Sequence, residues 1–153
     1  MSQPTGSAQI VAALELTPHP EGGHFREVWR DVAPDGSRGA GSSIYFLLVA
    51  GEVSAWHRVD GTEIWLFHAG AAIELSISTD GDAVATHRLG PDLAAGERPQ
   101  VVVPPGAWQS ARSLGEWTLV GCTVLPAFTF DRFVMAPPGW QPGGGREEAG
   151  EGA

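Results

Sequence analysis

Apolar positions along this chain fall mostly into short runs broken by Gly, Pro and Asp, the pattern of strands and turns rather than of long helices. The exception comes first. Ala8 to Leu16 carries apolar residues at 10, 11, 14 and 16, which predicts one short amphipathic helix, with Ser7 placed to cap it and Pro18 and Pro20 to stop it. After the Gly22-Gly23 pair the runs turn β-like: 25–30, 42–49, 54–59, 63–68, 73–78, 83–89, 100–103, 108–113, 117–125 and 128–135. Turn signals separate them, at Ala50-Gly51, Asp60-Gly61, Ala69-Gly70 and Thr79-Asp80-Gly81-Asp82. About ten short strands with a single helix predict an all-β sandwich or barrel and argue against α/β winding.

Alternation along a strand sorts side chains into two faces. Glu63, Trp65 and Phe67 share one face, and Ile64, Leu66 and His68 the other. His57 and Val59 form a second same-face pair, Gln109 and Ala111 a third. Phe25 and Glu27 oppose His24 and Arg26, with nothing to say which pair faces inward.

Two segments have a more specific spacing. Gly51, His57, Glu63 and Gly70 match the frame G-x5-H-x-H-x3-4-E-x6-G, with Val59 where a second histidine would stand. Downstream, Pro104-Pro105-Gly106-Ala107-Trp108-Gln109 fits P-x-G-x2-H, with Gln109 in the histidine's place. These two motifs, in order, resemble those of the cupin superfamily. The series His19-Pro-Glu21-Gly-Gly-His24-Phe-Arg-Glu27, Trp56-His57-Arg58, Glu63-Ile-Trp65, Val103 to Gln109 and Gly121 to Phe128 is similar to a group of small single-domain cupins known as a domain of unknown function. The resemblance covers roughly residues 8 to 140. It implies an all-β double-stranded β-helix, the jelly-roll barrel, with a short N-terminal helix. It also implies a homodimer, likeness to sugar epimerases and storage-protein barrels, and convergence of His57, Glu63 and Gln109 inside the barrel. Residues 1–7 then read as a flexible lead, 8–140 as one domain, and the Gly- and Glu-rich stretch 141–153 as a disordered tail.

Three readings of that trio stay open. In cupins such residues usually hold a divalent metal, and imidazole with carboxylate suits Zn, Mn, Fe or Ni, although a carboxamide is a weak ligand. Without metal, His57 and Glu63 form a general acid/base dyad. The third reading is a satisfied polar network without chemistry. The turn 20–23 is either purely structural or a lid that offers Glu21, His24 or Arg26 to a ligand, and the resemblance adds Glu27 as a pocket residue. Trp65, on the Glu63 face, is the candidate for stacking on a planar or sugar-like ligand, and Tyr45 for a pocket hydroxyl. His68 and His87 read as surface or interface groups.

Bulk properties narrow the partners. The chain has 153 residues and a net charge of −9. All nine cationic side chains are arginine, which removes lysine Schiff-base and lysine general-base chemistry. An acidic chain of pI near 4.8 is a poor match for nucleic acid. No apolar run is long enough to span a membrane and no secretory pattern is visible, so a cytoplasmic location is expected. The single cysteine, Cys122, lies in an apolar run and reads as a buried inert thiol rather than a nucleophile. The function these features point to is binding of a small polar metabolite in the barrel, with isomerase-, epimerase- or lyase-like acid/base chemistry. The alternatives are a non-catalytic binding or sensing module and a divalent-metal-dependent enzyme.

Overall fold

A computed structural model describes residues 6–144. The tail expected at 141–153 and the lead expected at 1–7 therefore lie largely outside the described residues. The chain begins with helix α1 (Ser7–Leu14) and continues as eleven strands: β1 (Thr17–Pro18), β2 (His24–Val32), β3 (Arg38–Val49), β4 (Val53–Val59), β5 (Thr62–Gly70), β6 (Ile73–Ser78), β7 (Ala85–Leu89), β8 (Gln100–Val103), β9 (Trp108–Ser113), β10 (Trp117–Leu125) and β11 (Phe133–Met135). They form two antiparallel sheets in the orders β1-β2-β3-β10-β5-β8 and β11-β4-β9-β6-β7. This is the all-β architecture that the runs predict, in the jelly-roll arrangement that the resemblance implies.

Two local expectations are corrected. Ser7 is the first helical residue and Gly6 occupies the cap, without a side-chain bond. The run 128–135 is not one strand, because Phe130–Arg132 forms a 3-10 turn before β11. Pro18, which stops the helix, also belongs to the two-residue strand β1.

The core lies between the sheets and follows strand parity. Phe46, Leu48, Trp65, Leu75, Ala111 and Val120 pack within it, each at most 3% exposed. The alternate residues of β3, Tyr45 and Leu47, face outward and are covered by Ile10, Leu14 and Leu16 of the helical segment, together with Trp117 and Leu119. Helix α1 therefore plugs the outside of the first sheet and leaves the barrel interior free for polar groups.

The turn between β1 and β2 is pressed onto the barrel wall. His19 N–H donates to the Gly23 carbonyl, Gly22 N–H to the His19 carbonyl and Ala55 N–H to the Glu21 carbonyl. Gly22 and Gly23 have φ of 108° and 80°, the left-handed region that glycine occupies without a Cβ penalty. A Cβ on Gly22 would lie 2.4 Å from the Val53 carbonyl oxygen, and one on Gly23 2.7 Å from that of Leu47. Gly22→Ala is therefore expected to cost about 3 kcal/mol or more in guanidinium unfolding, combining strain and overlap. Gly36, with φ of 80° but open space around it, should cost only about 1 kcal/mol as alanine. Equal costs at the two positions would contradict the close approach.

Candidate active site

Two strand registers and one turn build the site. β4 pairs with β9 so that His57 stands opposite Gln109. β5 pairs with β10 so that Glu63 stands opposite Val124 and Trp65 opposite Cys122. His57, Glu63 and Gln109 consequently all point inward, at 2%, 7% and 0% exposure. The β1–β2 turn adds Glu21, itself only 7% exposed.

His57 is not paired with Glu63 as the dyad expectation had it. Its Nε2 lies 2.7 Å from Glu21 Oε2. Its Nδ1 lies 2.7 Å from the Ala55 carbonyl, so Nδ1–H donates there and fixes the ring. Burial acts against an imidazolium at this position. The charge of Glu21, the contact to it, the charge of Glu63 and the Ala55 carbonyl together outweigh burial and hold the His57 pKa at about 9. Glu21 responds in the opposite sense: burial favours its neutral form, but the His57 charge prevails and lowers its pKa. The pair is best described as carboxylate and imidazolium.

Glu63 is held differently. Gln109 Nε2–H donates to Glu63 Oε1 at 3.0 Å, and Trp65 Nε1–H donates to Gln109 Oε1 at 2.8 Å. The indole therefore sets which way the amide points. Burial raises the Glu63 pKa to about 7, with the His57 charge and the Gln109 bond opposing it only in part. Cys122, beside Glu63, is pushed well above its ordinary value by burial and by that carboxyl, which fits an inert thiol. His19 completes the polar wall. Its Nδ1 accepts from the Glu21 N–H at 3.1 Å, and burial lowers its pKa. It is therefore neutral, and the 3.6 Å approach of Nδ1 to Glu21 Oε1 is not an ion pair.

These groups open into one cavity of about 540 Å³, its mouth included. Its enclosed part has room for about five waters. Glu21, His57, Glu63 and Cys122 line it together with Phe25, Phe128, Phe130 and Phe133, and the Phe133 ring lies 5.4 Å from that of His57. At the rim, Arg30 donates from Nε and Nη2 to Glu27 at 2.8 and 2.6 Å and from Nη1 to the Phe128 carbonyl at 2.7 Å.

The remaining sequence candidates divide by strand face. Glu27 lines the cavity. Arg26 does not: it lies on the opposite face of β2, where it pairs with Glu15 at 2.8 Å. Tyr45 is on the outward face of β3, under α1. Trp65 is 1% exposed in the core and lies behind Gln109, so it orients that amide rather than stacking on a ligand. Arg30, Cys122 and the three phenylalanines at 128, 130 and 133 were missed. The clustering of three phenylalanines within six residues after Pro126 is the signal that points to them.

The donor set does not fit a divalent metal. His57 Nε2 is committed to Glu21, Gln109 turns its amide N–H toward Glu63 with its oxygen already bonded to Trp65, and Val59 offers no donor atom. Among the described residues no three His, Cys, Asp or Glu side chains are grouped to hold an ion.

A jelly roll with an acid/base cluster in its interior defines the class as cupin-like. The chain belongs to the family described as Cupin superfamily (DUF985), whose model matches residues 8–136. Among solved structures it is similar to protein SO0799 from Shewanella oneidensis, at 43% identity and TM-score 0.82, covering 86% of this chain and 85% of that one. A hypothetical protein from Leishmania major is 27% identical at TM-score 0.79, with 89% and 90% covered. An oxalate decarboxylase from Bacillus subtilis shares the fold at 16% identity and TM-score 0.59, with 78% of this chain and 29% of that one covered. No curated protein matches the chain. No helix among the described residues is long and apolar enough to cross a membrane.

The charge assignments fix a pH dependence of stability. His57 has a raised folded pKa, so its contribution is full below about 6.5 and is lost as pH rises toward 9. Glu63, also raised, favours folding at low pH and loses that contribution between about 4.5 and 7. Glu21, lowered, stabilises above its ordinary value and loses that contribution as pH falls. Guanidinium midpoints are therefore expected to fall steadily from about pH 5.5 to 9. Glu21→Gln should cost about 3 kcal/mol near neutral pH by stranding the imidazole, and should flatten the decline above pH 6.5. An unchanged slope in that variant would contradict the pairing.

Proposed function

We propose that the barrel binds a small polar metabolite and moves a proton on it, with Glu63 as the proton carrier and the Glu21–His57 pair as the fixed charge beside it. One observation carries the reading. A buried carboxyl with a pKa of about 7 lines a small cavity, a value matched to both giving and taking a proton at neutral pH. The imidazolium then has a different task from that of a mobile base. Held at Nδ1 by Ala55 and at Nε2 by Glu21, it supplies positive charge next to the place where negative charge develops when a carbon-bound proton is removed. Gln109, turned by Trp65, donates to Glu63 and keeps the carboxyl in one orientation. The aromatic wall lowers the local polarity, which strengthens each of these interactions.

This supports isomerase-, epimerase- or lyase-like chemistry, all of which begin with proton abstraction next to an activating group. The reaction needs no metal in this form, in keeping with the donor geometry. Incubation of the protein in deuterium oxide with a panel of small polar metabolites tests it directly. Wash-in of deuterium at one carbon position, read by mass spectrometry, is the expected result. Glu63→Gln should slow exchange by about 10²-fold or more, the usual scale of a lost general base. Ligands that bind tightly with no exchange would instead make the protein a binding or sensing module.

A further inference from the structure

We propose that the ligand of this pocket is a small organic ammonium ion, an amine of a few carbon atoms whose charge sits between the Glu63 carboxylate and the phenylalanine wall. The inference rests on the reading of the barrel as a metabolite site and adds the ligand's charge. The charges that line the cavity do not balance. Three carboxylates line it, Glu21, Glu27 and Glu63, against two cations, His57 and Arg30. Glu21 is taken by His57 at 2.7 Å. Glu27 is taken at both oxygens by Arg30. Glu63 hydrogen-bonds neutral groups, the Gln109 amide and the Cys122 thiol, and the nearby His57 charge is already paired with Glu21. Ionised, it leaves the pocket one charge negative, and a monocation restores neutrality.

The cations already present are not free to receive an anion. Both His57 nitrogens are engaged, at the Ala55 carbonyl and at Glu21. All three Arg30 nitrogens donate within the protein. A carboxylate ligand would have to break a bidentate pair to gain one of its own. The walls favour a cation as well. Phe25, Phe128, Phe130 and Phe133 line the cavity, and aromatic faces attract ammonium groups. Phe130 is 57% exposed beside the mouth, where an incoming cation meets it first. The chain's charge of −9 steers cations toward it and anions away. The space limits size to about half a dozen non-hydrogen atoms inside, with any longer part of the ligand passing through the mouth.

The pH dependence follows from the groups that face Glu63. His57 comes from β4, Cys122 from β10, Glu21 and His19 from the β1–β2 turn, and Glu27 and Arg30 from β2 at the rim; Gln109 of β9 and Val103 of β8 are uncharged. Glu63, raised to about 7, changes charge between about pH 6 and 8, so a cation binds better as pH rises and displaces the Glu63 proton.

Titration calorimetry tests this with methylammonium, ethanolamine and propylammonium, matched against acetate, lactate and the uncharged alcohols of the same size. The amines should bind, about tenfold more tightly at pH 8 than at pH 6, with proton release at pH 6 seen in buffers of different ionisation enthalpy. Glu63→Gln, which mimics the protonated carboxyl and should fold, is expected to lose about tenfold in affinity at pH 8 together with the pH dependence. Phe133→Leu should weaken binding about threefold. Binding of the carboxylates in preference, equal binding of the alcohols, or no binding of any amine at tens of millimolar would each overturn the proposal. Amine binding with no deuterium exchange would retire the proton-transfer reading and keep the ligand class; exchange on an anionic or uncharged metabolite would do the reverse.

Discussion

Burying an ion pair inside a β-barrel is the constraint around which this molecule is arranged. Taking a carboxylate and an imidazolium out of water is costly unless each finds its partner at short range and its remaining polar atoms are bonded. Glu21 and His57 lie 2.7 Å apart, and backbone from different parts of the chain holds both in place. The Ala55 carbonyl receives one imidazole N–H, and the Glu21 carbonyl receives the Ala55 amide. The same dipeptide region thus holds the histidine from one side and the turn that carries its partner from the other. Gly22 and Gly23 let that turn lie flat against β3 and β4, which brings a carboxylate from outside the sheets into the interior.

The pair in turn sets the chemistry available to Glu63. With the imidazolium satisfied by Glu21, Glu63 is not forced to ionise, and burial keeps its proton near the neutral range. The chain of donors from Trp65 through Gln109 then has a consequence for metal. In a barrel where a histidine stood at position 109, that position would present a lone pair to the interior. Here the indole takes the amide oxygen and the amide hydrogens face the carboxylate. Together with Val59, this makes the interior a place for protons and for a ligand, and a poor place for a divalent ion.

Much of this was legible in the sequence because strand alternation is a strong rule. The motif resemblance implied that His57, Glu63 and Gln109 converge inside the barrel, and alternation along β5 put Trp65 on the face of Glu63. What alternation does not carry is depth, or which side of a strand is inside. Trp65 shares the face of Glu63 but lies deeper, behind Gln109, so it orients the amide and touches no cavity. Tyr45 and Arg26 were grouped with the right neighbours on their strands, yet the helix that covers that outer surface decides their fate. The partner of His57 was the least visible feature. Glu21 comes from a turn 36 residues earlier, and turns have no period that would aim a side chain. The rim was hidden for the same reason, since Arg30 and Phe128 meet only after β2 and the segment following β10 have folded together.

The central claim is that one buried glutamate, set beside a fixed ion pair, holds a proton that exchanges near neutral pH. Carbon-13 NMR of protein labelled at glutamate side-chain carboxyls reads this most directly. One resonance is predicted to titrate near pH 7 and to be absent from Glu63→Gln, while the Glu21 resonance stays ionised down to below the ordinary carboxylate range. If every glutamate carboxyl titrates below about pH 5, as unperturbed side chains do, the account of this site is contradicted.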